Sequence, residues 1–163
     1  MTTVFLLITA VLTALVAGLF YAYSCSVVLG LGKLSDTEYL KSMQSINREI
    51  LNPVFFMSFM GAAVLLPVTT FLFRGEQSGF LFLLLASAAY LIGVFGVTVA
   101  GNVPLNDMLD KFDISNSTAE AVKQMRESFE NRWSLLNNIR TVFSVISIVL
   151  VICACIWNRP LNG

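Results

Sequence analysis

Histidine is absent from the sequence, and this absence restricts the chemistry that the chain can carry out. Histidine is the commonest general base and the commonest metal ligand in proteins. The spacings of cysteine, aspartate and glutamate do not replace it, because none forms a recognisable metal-binding motif. We therefore expect no metal site and no cofactor. The formal net charge of zero also gives no reason to expect nucleic-acid binding.

Charged residues are scarce as well, at 12% of the chain, which is about half of their share in typical soluble domains. They are missing altogether from residues 1–32, 50–73, 77–106 and 141–158. Each stretch reaches or approaches the roughly 20 residues that a helix needs to cross about 30 Å of hydrocarbon. The sequence therefore predicts an all-α integral membrane four-helix bundle that forms a single domain over residues 1–163. The predicted spans are about 4–31, 53–73, 78–102 and 134–157.

Two segments between these spans are predicted to be helical and to lie outside the hydrocarbon. Ser35 and Glu38 match a capping box, and apolar residues then recur at helical spacing, so residues 36–51 should form an amphipathic helix. No helix breaker occurs between residues 118 and 158, which predicts one continuous helix of roughly 60 Å. Because that length is about twice the membrane thickness, its first half must project. We expect these two amphipathic helical extensions to pack together on one side.

Two asparagines precede prolines at the ends of predicted spans. Asn52 is followed by Pro53, and Asn102 stands two positions before Pro104. Since proline removes a backbone donor and disfavours helix at the residue before it, the second span should start at Pro53 and the third should end near Pro104. We expect Asn52 and Asn102 to lie near each other and to bond the backbone groups that the prolines leave free.

The first span carries a small residue at every fourth position, namely Ala10, Ala14, Gly18, Ala22, Ser26 and Gly30. Small residues at this spacing allow another helix to approach closely in a membrane. The stripe has two interpretations. It packs against other helices of the same bundle, or it forms the contact of a homo-oligomer.

Loop charges predict the orientation. Seven basic residues fall in the two long loops: Lys33, Lys41, Arg48, Lys111, Lys123, Arg126 and Arg132. Only Arg74 and Arg159 fall on the other side. The positive-inside rule then places the long loops in the cytoplasm, with the protein in the cell (inner) membrane.

Polar residues gather where the spans meet the long loops. Eleven are candidates for a site: Tyr21, Tyr23, Ser24, Asn47, Asn52, Asn102, Asn106, Glu130, Trp133, Asn137 and Arg140. One interpretation is a polar interface in which these groups cap helix ends and reach lipid head groups. The other is a ligand site. Arg140 favours the second, because it lies about two turns inside the last span, where a charge usually has a partner or lines a polar cavity.

Five segments resemble a known family. They are Gly18–Ser24, Met43–Asn47, Ile50–Pro53, Gly101–Asn106 and the stretch from Trp133 through Asn137 to Arg140-Thr141. Together they are similar to the anthrone oxygenase-like family of small four-helix membrane proteins, long filed as a domain of unknown function. The resemblance implies a four-helix membrane fold and, as an activity, oxygenation of an anthrone to an anthraquinone.

The sequence supports three functional hypotheses. The first is a polar pocket at the long-loop end that binds or oxygenates a hydrophobic aromatic molecule such as an anthrone or a quinol. Glu130, or a tyrosinate, would be the base and Arg140 the cation for the phenolate, with Tyr21, Tyr23, Ser24, Asn47, Asn52, Asn102, Asn106, Trp133 and Asn137 as ligand-binding residues. Glu130 and Arg140 are about 15 Å apart along one helix, so a planar ligand or a tyrosine must bridge them. The second hypothesis is a non-catalytic membrane accessory or scaffold protein, and the third is a transporter. Membrane lipids are partners in every case.

Overall fold

The structure, a computed structural model, describes residues 2–75 and 77–157. These residues form five helices and no strand. Arg159, which the sequence placed on the short-loop side, lies outside the described residues. The helices are α1 (Thr2–Leu31), α2 (Asp36–Glu49), α3 (Pro53–Leu72), α4 and α5 (Ala119–Trp157). Helix α4 begins with Gln77–Ala88 and ends with Val103–Asp110.

Four of these helices, α1, α3, α4 and α5, are long and apolar enough to cross a membrane. Helix α1 packs against α3 and α5, and α4 packs against the same two neighbours. The four helices therefore form a ring in the order α1, α3, α4, α5. The prediction of an all-α fold with four membrane-length helices is confirmed.

Hydroxyl groups join the helices in the half of the bundle that contains the short turn between α3 and α4. Thr9 of α1 and Thr69 of α3 are hydrogen-bonded at 2.8 Å. Thr70 of α3 and Ser87 of α4 are bonded at 2.9 Å, and Ser147 of α5 donates to the carbonyl of Ala86 at 3.0 Å. Hydrogen bonds of this kind contribute about 0.6 kcal/mol each in membrane proteins. They hold the helices together in the half of the bundle that contains the short turn.

Helices α4 and α5 are in close contact at Gly93. A Cβ atom added there would overlap Cγ of Phe143 on α5 and would lie 2.6 Å from its Cβ. These are inner atoms of the side chain, so Phe143 cannot avoid the new methyl group by rotating its outer end. Gly18 of α1, in contrast, has nothing within 4 Å of an added Cβ.

We expect Gly93→Ala to destabilise the bundle by about 1–3 kcal/mol, because overpacking a tight contact forces side chains from their rotamers. Gly18→Ala is the matched control, and it should be neutral or stabilising by up to about 1 kcal/mol, since alanine is the better helix former. Thermal unfolding in one detergent measures both. Equal melting temperatures for the two variants would contradict the close contact.

A second apolar core lies outside the four-helix ring and holds the projecting segments together. Helix α2 contributes Tyr39, Leu40 and Met43, which pack on Leu109 at the end of α4 and on Phe129 of α5. The capping box at the start of α2 is present, with the backbone N–H of Ser35 donating to Glu38 at 3.1 Å. The predicted packing of the extensions against each other on one side is confirmed.

Helix α4 differs from the prediction, which ended it near Pro104. It continues to Asp110, and the reason is a π-helical turn over Thr98–Asn102. The N–H of Val103 bonds the carbonyl of Thr98, five residues back. The widened turn places the proline at the start of a new α-helical segment, where a missing N–H costs little. Two further π-helical stretches, Tyr23–Val27 in α1 and Ala89–Gly96 in α4, occur in the same half of the bundle.

The stripe of small residues on α1 lies mostly on the outer surface. Ala14, Gly18, Ala22, Ser26 and Gly30 are all exposed, and Ala10 is half-buried. The interpretation that the stripe packs within the bundle is therefore wrong for these five exposed residues and holds only for Ala10, which packs on the core. The homo-oligomer interpretation remains a prediction.

Candidate functional site

A cavity of about 250 Å³ lies in the upper half of the bundle, at the end where the long loops meet the helices. All five helices contribute to its wall. The lining side chains are Leu19, Phe20, Tyr23, Ile46, Asn47, Ile50, Leu51, Phe55, Phe56, Phe59, Met60, Phe95, Thr98, Val99, Val103, Asn106, Trp133, Asn137 and Arg140. Most of this wall is apolar, and the polar groups are few.

Arg140 of α5 supplies the only charge in that wall, and it is 6% exposed. Its Nη2 donates to Asn137 Oδ1 at 3.0 Å, and its Nη1 lies 3.4 Å from Thr98 Oγ1. The guanidinium stacks 4.4 Å from the ring centre of Phe20 and 5.5 Å from that of Trp133. Aromatic faces stabilise a cation through their quadrupole. The stacking holds the planar group at the margin of the cavity.

The positive charge of Arg140 has no carboxylate partner among the residues that the structure describes. The ion pairs within the described part of the chain involve Arg48 and Arg126, and none includes Arg140. Its Nε is buried and forms no hydrogen bond there. Removing a charge from water without a counter-charge costs several kcal/mol. An uncompensated cation beside an apolar cavity is therefore the arrangement expected of a site for an anionic oxygen.

A chain of hydrogen bonds fixes Asn137, the partner of Arg140. Asn137 Nδ2 donates to Ser24 Oγ at 2.9 Å, and Ser24 is bonded to Thr141 Oγ1 at 2.8 Å. Thr141 also donates to the carbonyl of Phe20 at 3.0 Å. Ser24 lies in the π-helical turn of α1, which is a common feature of functional sites. Ser24 does not line the cavity itself, but it orients Asn137, which does.

The roof of the cavity comes from α2, α4 and α5. Trp133 donates its indole N–H to Asn106 Oδ1 at 2.8 Å. Asn47 of α2 is 8% exposed, and its Nδ2 has no hydrogen-bond partner among the described residues. Asn47 is therefore a second buried donor, besides Arg140 Nε, that is available in this wall.

Glu130, the predicted base, lies away from the cavity wall. Its Oε2 accepts from Arg126 Nε at 2.7 Å. Arg126 also bonds Asp36 and the carbonyls of Gly32 and Leu34, at 2.8–2.9 Å. The guanidinium carbon of Arg126 lies 4.6 Å from the ring centre of Tyr39. Burial raises the pKa of the Tyr39 phenol above its ordinary range, so this side chain stays neutral. Glu130 thus belongs to a junction between α1, α2 and α5.

Three other predicted residues also lie off the wall. Tyr21 is 59% exposed on the outside of α1. Asn52 caps α3, accepting from Phe55 N at 3.0 Å and donating to the carbonyl of Glu49, which Pro53 leaves free, at 2.7 Å. Its predicted backbone bond is confirmed. The corresponding prediction for Asn102 is wrong, because both polar atoms of this buried side chain lack a partner among the described residues. The π-helical turn over Thr98–Asn102 places Pro104 at the start of an α-helical segment, so no backbone group is left for Asn102 to bond.

The sequence reasoning missed the aromatic wall. Phe55 and Phe59 of α3 stack at 5.2 Å between ring centres, and Phe59 stacks on Phe95 of α4 at 5.7 Å. Thr98, which faces Arg140, was also missed. Clustering of phenylalanine at the start of α3 was the available signal, but lipid-facing phenylalanines give the same pattern.

No three histidine, cysteine, aspartate or glutamate residues cluster as metal ligands within residues 2–75 and 77–157. The absence of a metal and of a cofactor stays a prediction. Four membrane-length helices, which surround an apolar cavity with a few polar groups in its wall, define a helical membrane protein with a candidate site for a small molecule.

A family model described as anthrone oxygenase matches residues 53–150, more than half of the chain. The chain therefore belongs to the anthrone oxygenase family. No curated protein and no solved structure gives a significant match. The matched region contains α3, α4 and the part of α5 that carries Trp133, Asn137 and Arg140.

Proposed function

We propose that the protein binds a compact, planar, oxygen-bearing aromatic molecule of the anthrone or quinol class and promotes its oxygenation. The observation that carries this proposal is the buried guanidinium of Arg140, which lines an apolar cavity and has no carboxylate partner within residues 2–75 and 77–157. A phenolate or enolate oxygen supplies the missing negative charge, and charge-assisted hydrogen bonds of this type are among the strongest in proteins.

Cavity size and wall chemistry favour such a ligand. The volume of about 250 Å³ is slightly below the usual range of small-molecule sites, which argues for a compact ligand and against an extended lipid. The stacked rings of Phe55, Phe59 and Phe95 offer flat apolar surfaces. Aromatic ligands stack favourably on such rings.

The chemistry requires a base and a cation. Removal of a proton from the methylene carbon of an anthrone gives an anion whose charge rests largely on the oxygen. Arg140 stabilises that oxygen, which favours ionisation. The electron-rich carbon then reduces dioxygen and forms a C–O bond. Loss of the second C–H proton with cleavage of the O–O bond releases water, so that one anthrone and one dioxygen give one anthraquinone and one water.

Two residues are candidates for the base. Tyr23 lines the cavity, and its deprotonated form, the tyrosinate, is the base that accepts the proton. Glu130, the candidate from the sequence, is paired with Arg126 and is absent from the wall. We assign the proton transfer to Tyr23 and keep Glu130 as the alternative. The protein would act in the cell membrane with its long loops in the cytoplasm.

Oxygen uptake tests the proposal. Purified, chelator-treated protein in lipid nanodiscs should consume oxygen with anthrone faster than empty nanodiscs do. Tyr23→Phe should lower the catalysed rate by about 100-fold, the usual size of a lost general base. Tyr21→Phe is the matched control on the same helix, because Tyr21 is exposed and off the wall, and its rate should equal that of the wild type.

A rate no higher than in empty nanodiscs, or one that appears only with added metal, would contradict this function. Full activity of Tyr23→Phe together with loss of activity in Glu130→Gln would return the role of base to Glu130.

A further inference from the structure

The cavity reaches the outer surface of the bundle between α3 and α4. Four apolar residues of α3 and α4 both line the cavity and remain 42–53% exposed: Phe56 and Met60 on α3, and Val99 and Val103 on α4. Leu51, which precedes α3, also lines the cavity and is 66% exposed. A side chain that faces a cavity and also the outside marks the rim of an opening. This rim contains no charged or hydrogen-bonding side chain.

The opening follows from how the two helices pack. Helix α3 packs closely on the first part of α4, Gln77–Ala88, and only sparsely beyond Ala88. Beyond that point α4 carries its two π-helical stretches, which occupy Ala89–Gly96 and Thr98–Asn102. Phe95, Thr98 and Val99 from these stretches line the cavity. The helices thus meet at the short turn and separate towards the long loops.

The depth of the rim places it within one leaflet. Helix α3 begins at Pro53, and Met60 follows seven residues later, which corresponds to about 10 Å along the helix. Half of the hydrocarbon thickness is about 15 Å. The surface around the rim therefore faces acyl chains. On the aqueous side the cavity is covered by α2, whose Leu40 and Met43 are fully buried against α4 and α5.

We propose that the ligand passes between the bilayer and the cavity through this lateral opening, whose rim is Phe56, Met60, Val99 and Val103. The inference rests on the proposed function, because it assumes an aromatic ligand in the cavity. It adds that this ligand arrives as a neutral, membrane-dissolved molecule and ionises only beside Arg140. A charged or strongly hydrophilic aromatic would be excluded, since the apolar rim offers its charge no partner.

Stopped-flow fluorescence of protein in nanodiscs tests the route, with anthrone under argon as the probe. Trp133 lines the cavity, and a Trp157→Phe background makes it the only tryptophan. Val99→Phe and Val103→Phe narrow the opening and should lower both the association and the dissociation rate by about fivefold or more, a larger change than that in Kd. Met60→Ala widens the opening and should raise both rates.

Ile92→Phe is the matched control, because Ile92 is exposed on the same helix and does not line the cavity. Its rates should equal those of the wild type. If Val99→Phe fails to fold, the opposite effect of Met60→Ala still decides the question. Unchanged rates in the rim variants of a protein that binds anthrone would overturn the lateral route alone. No quenching of Trp133 by anthrone in the wild type would overturn the proposed function and the route with it.

Discussion

Arg140→Met should leave the empty protein as stable as the wild type, or more stable, while its affinity for an anthrone-like ligand falls by about 10- to 100-fold. Arg140 is a buried cation that pairs with no carboxylate in the described part of the chain. Replacing buried ionic groups with apolar residues of similar volume is often neutral or stabilising by about 1–4 kcal/mol. Methionine has a similar unbranched shape and fills irregular space well.

The loss of affinity has a separate cause. A hydrogen bond to a charged group contributes about 1.5–3 kcal/mol, and each 1.4 kcal/mol changes Kd tenfold. Thermal unfolding of the empty protein and a titration of Trp133 fluorescence in the Trp157→Phe background measure the two effects. Arg132→Met on the same helix is the control, because Arg132 is exposed and should affect neither quantity.

A purely structural role for Arg140 predicts a different result. The hydrogen bond to Asn137 and the stacking on Phe20 would then be its purpose, and Arg140→Met would lower the melting temperature with no separate effect on binding. Such a result would contradict the proposal that Arg140 binds a ligand in the cavity. Arg140→Lys should lie between the two proteins in affinity, since lysine keeps the charge and loses the planar, forked donor group.

The fold was predictable because its determinants are local. Four uncharged stretches predict four membrane-length helices, and the missing breaker between residues 118 and 158 predicts the long helix α5. The path of α4 past Pro104 was not predictable in this way. Proline is incompatible with a regular i to i−4 ladder, but a π-helical turn shifts the ladder by one residue, and that turn is stabilised by packing against other helices.

The site was predictable only in part, for a related reason. Tyr23, Asn47, Asn106, Trp133, Asn137 and Arg140 were expected from their position at the ends of apolar stretches, and all of them line the cavity. Phe59 and Phe95 could not be told from lipid-facing phenylalanines, because the bilayer removes the contrast between an apolar interior and an apolar exterior. Glu130 shares a helical stripe with Arg140, but helical spacing does not reveal which partner a charge will find.

The partner of Glu130 is Arg126, and this arginine should be among the most important residues for stability. Its side chain is 14% exposed and bonds Glu130, Asp36 and two backbone carbonyls at the end of α1. Arg126→Ala leaves several of these groups without a partner at once. We expect a loss of about 2–3 kcal/mol in the free energy of unfolding. A hydrogen bond to a charged group contributes about 1.5–3 kcal/mol where it is shielded, as at Glu130, and an ion pair contributes less where the partner is exposed, as at Asp36.

Arg48→Ala is the matched control. Arg48 forms a 2.6 Å ion pair with Asp110, but both side chains are at least half exposed, and such pairs contribute about 1 kcal/mol or less. Equilibrium unfolding in one mild detergent compares the two variants, and equal losses of stability would contradict the role of Arg126 in the junction.

A double-mutant cycle between Arg126→Ala and Glu130→Gln measures the coupling between the two residues. If Glu130 acts through Arg126, the two losses will not add, and Glu130→Gln will retain oxygen uptake per folded protein. Additive losses would show that Glu130 acts independently of Arg126.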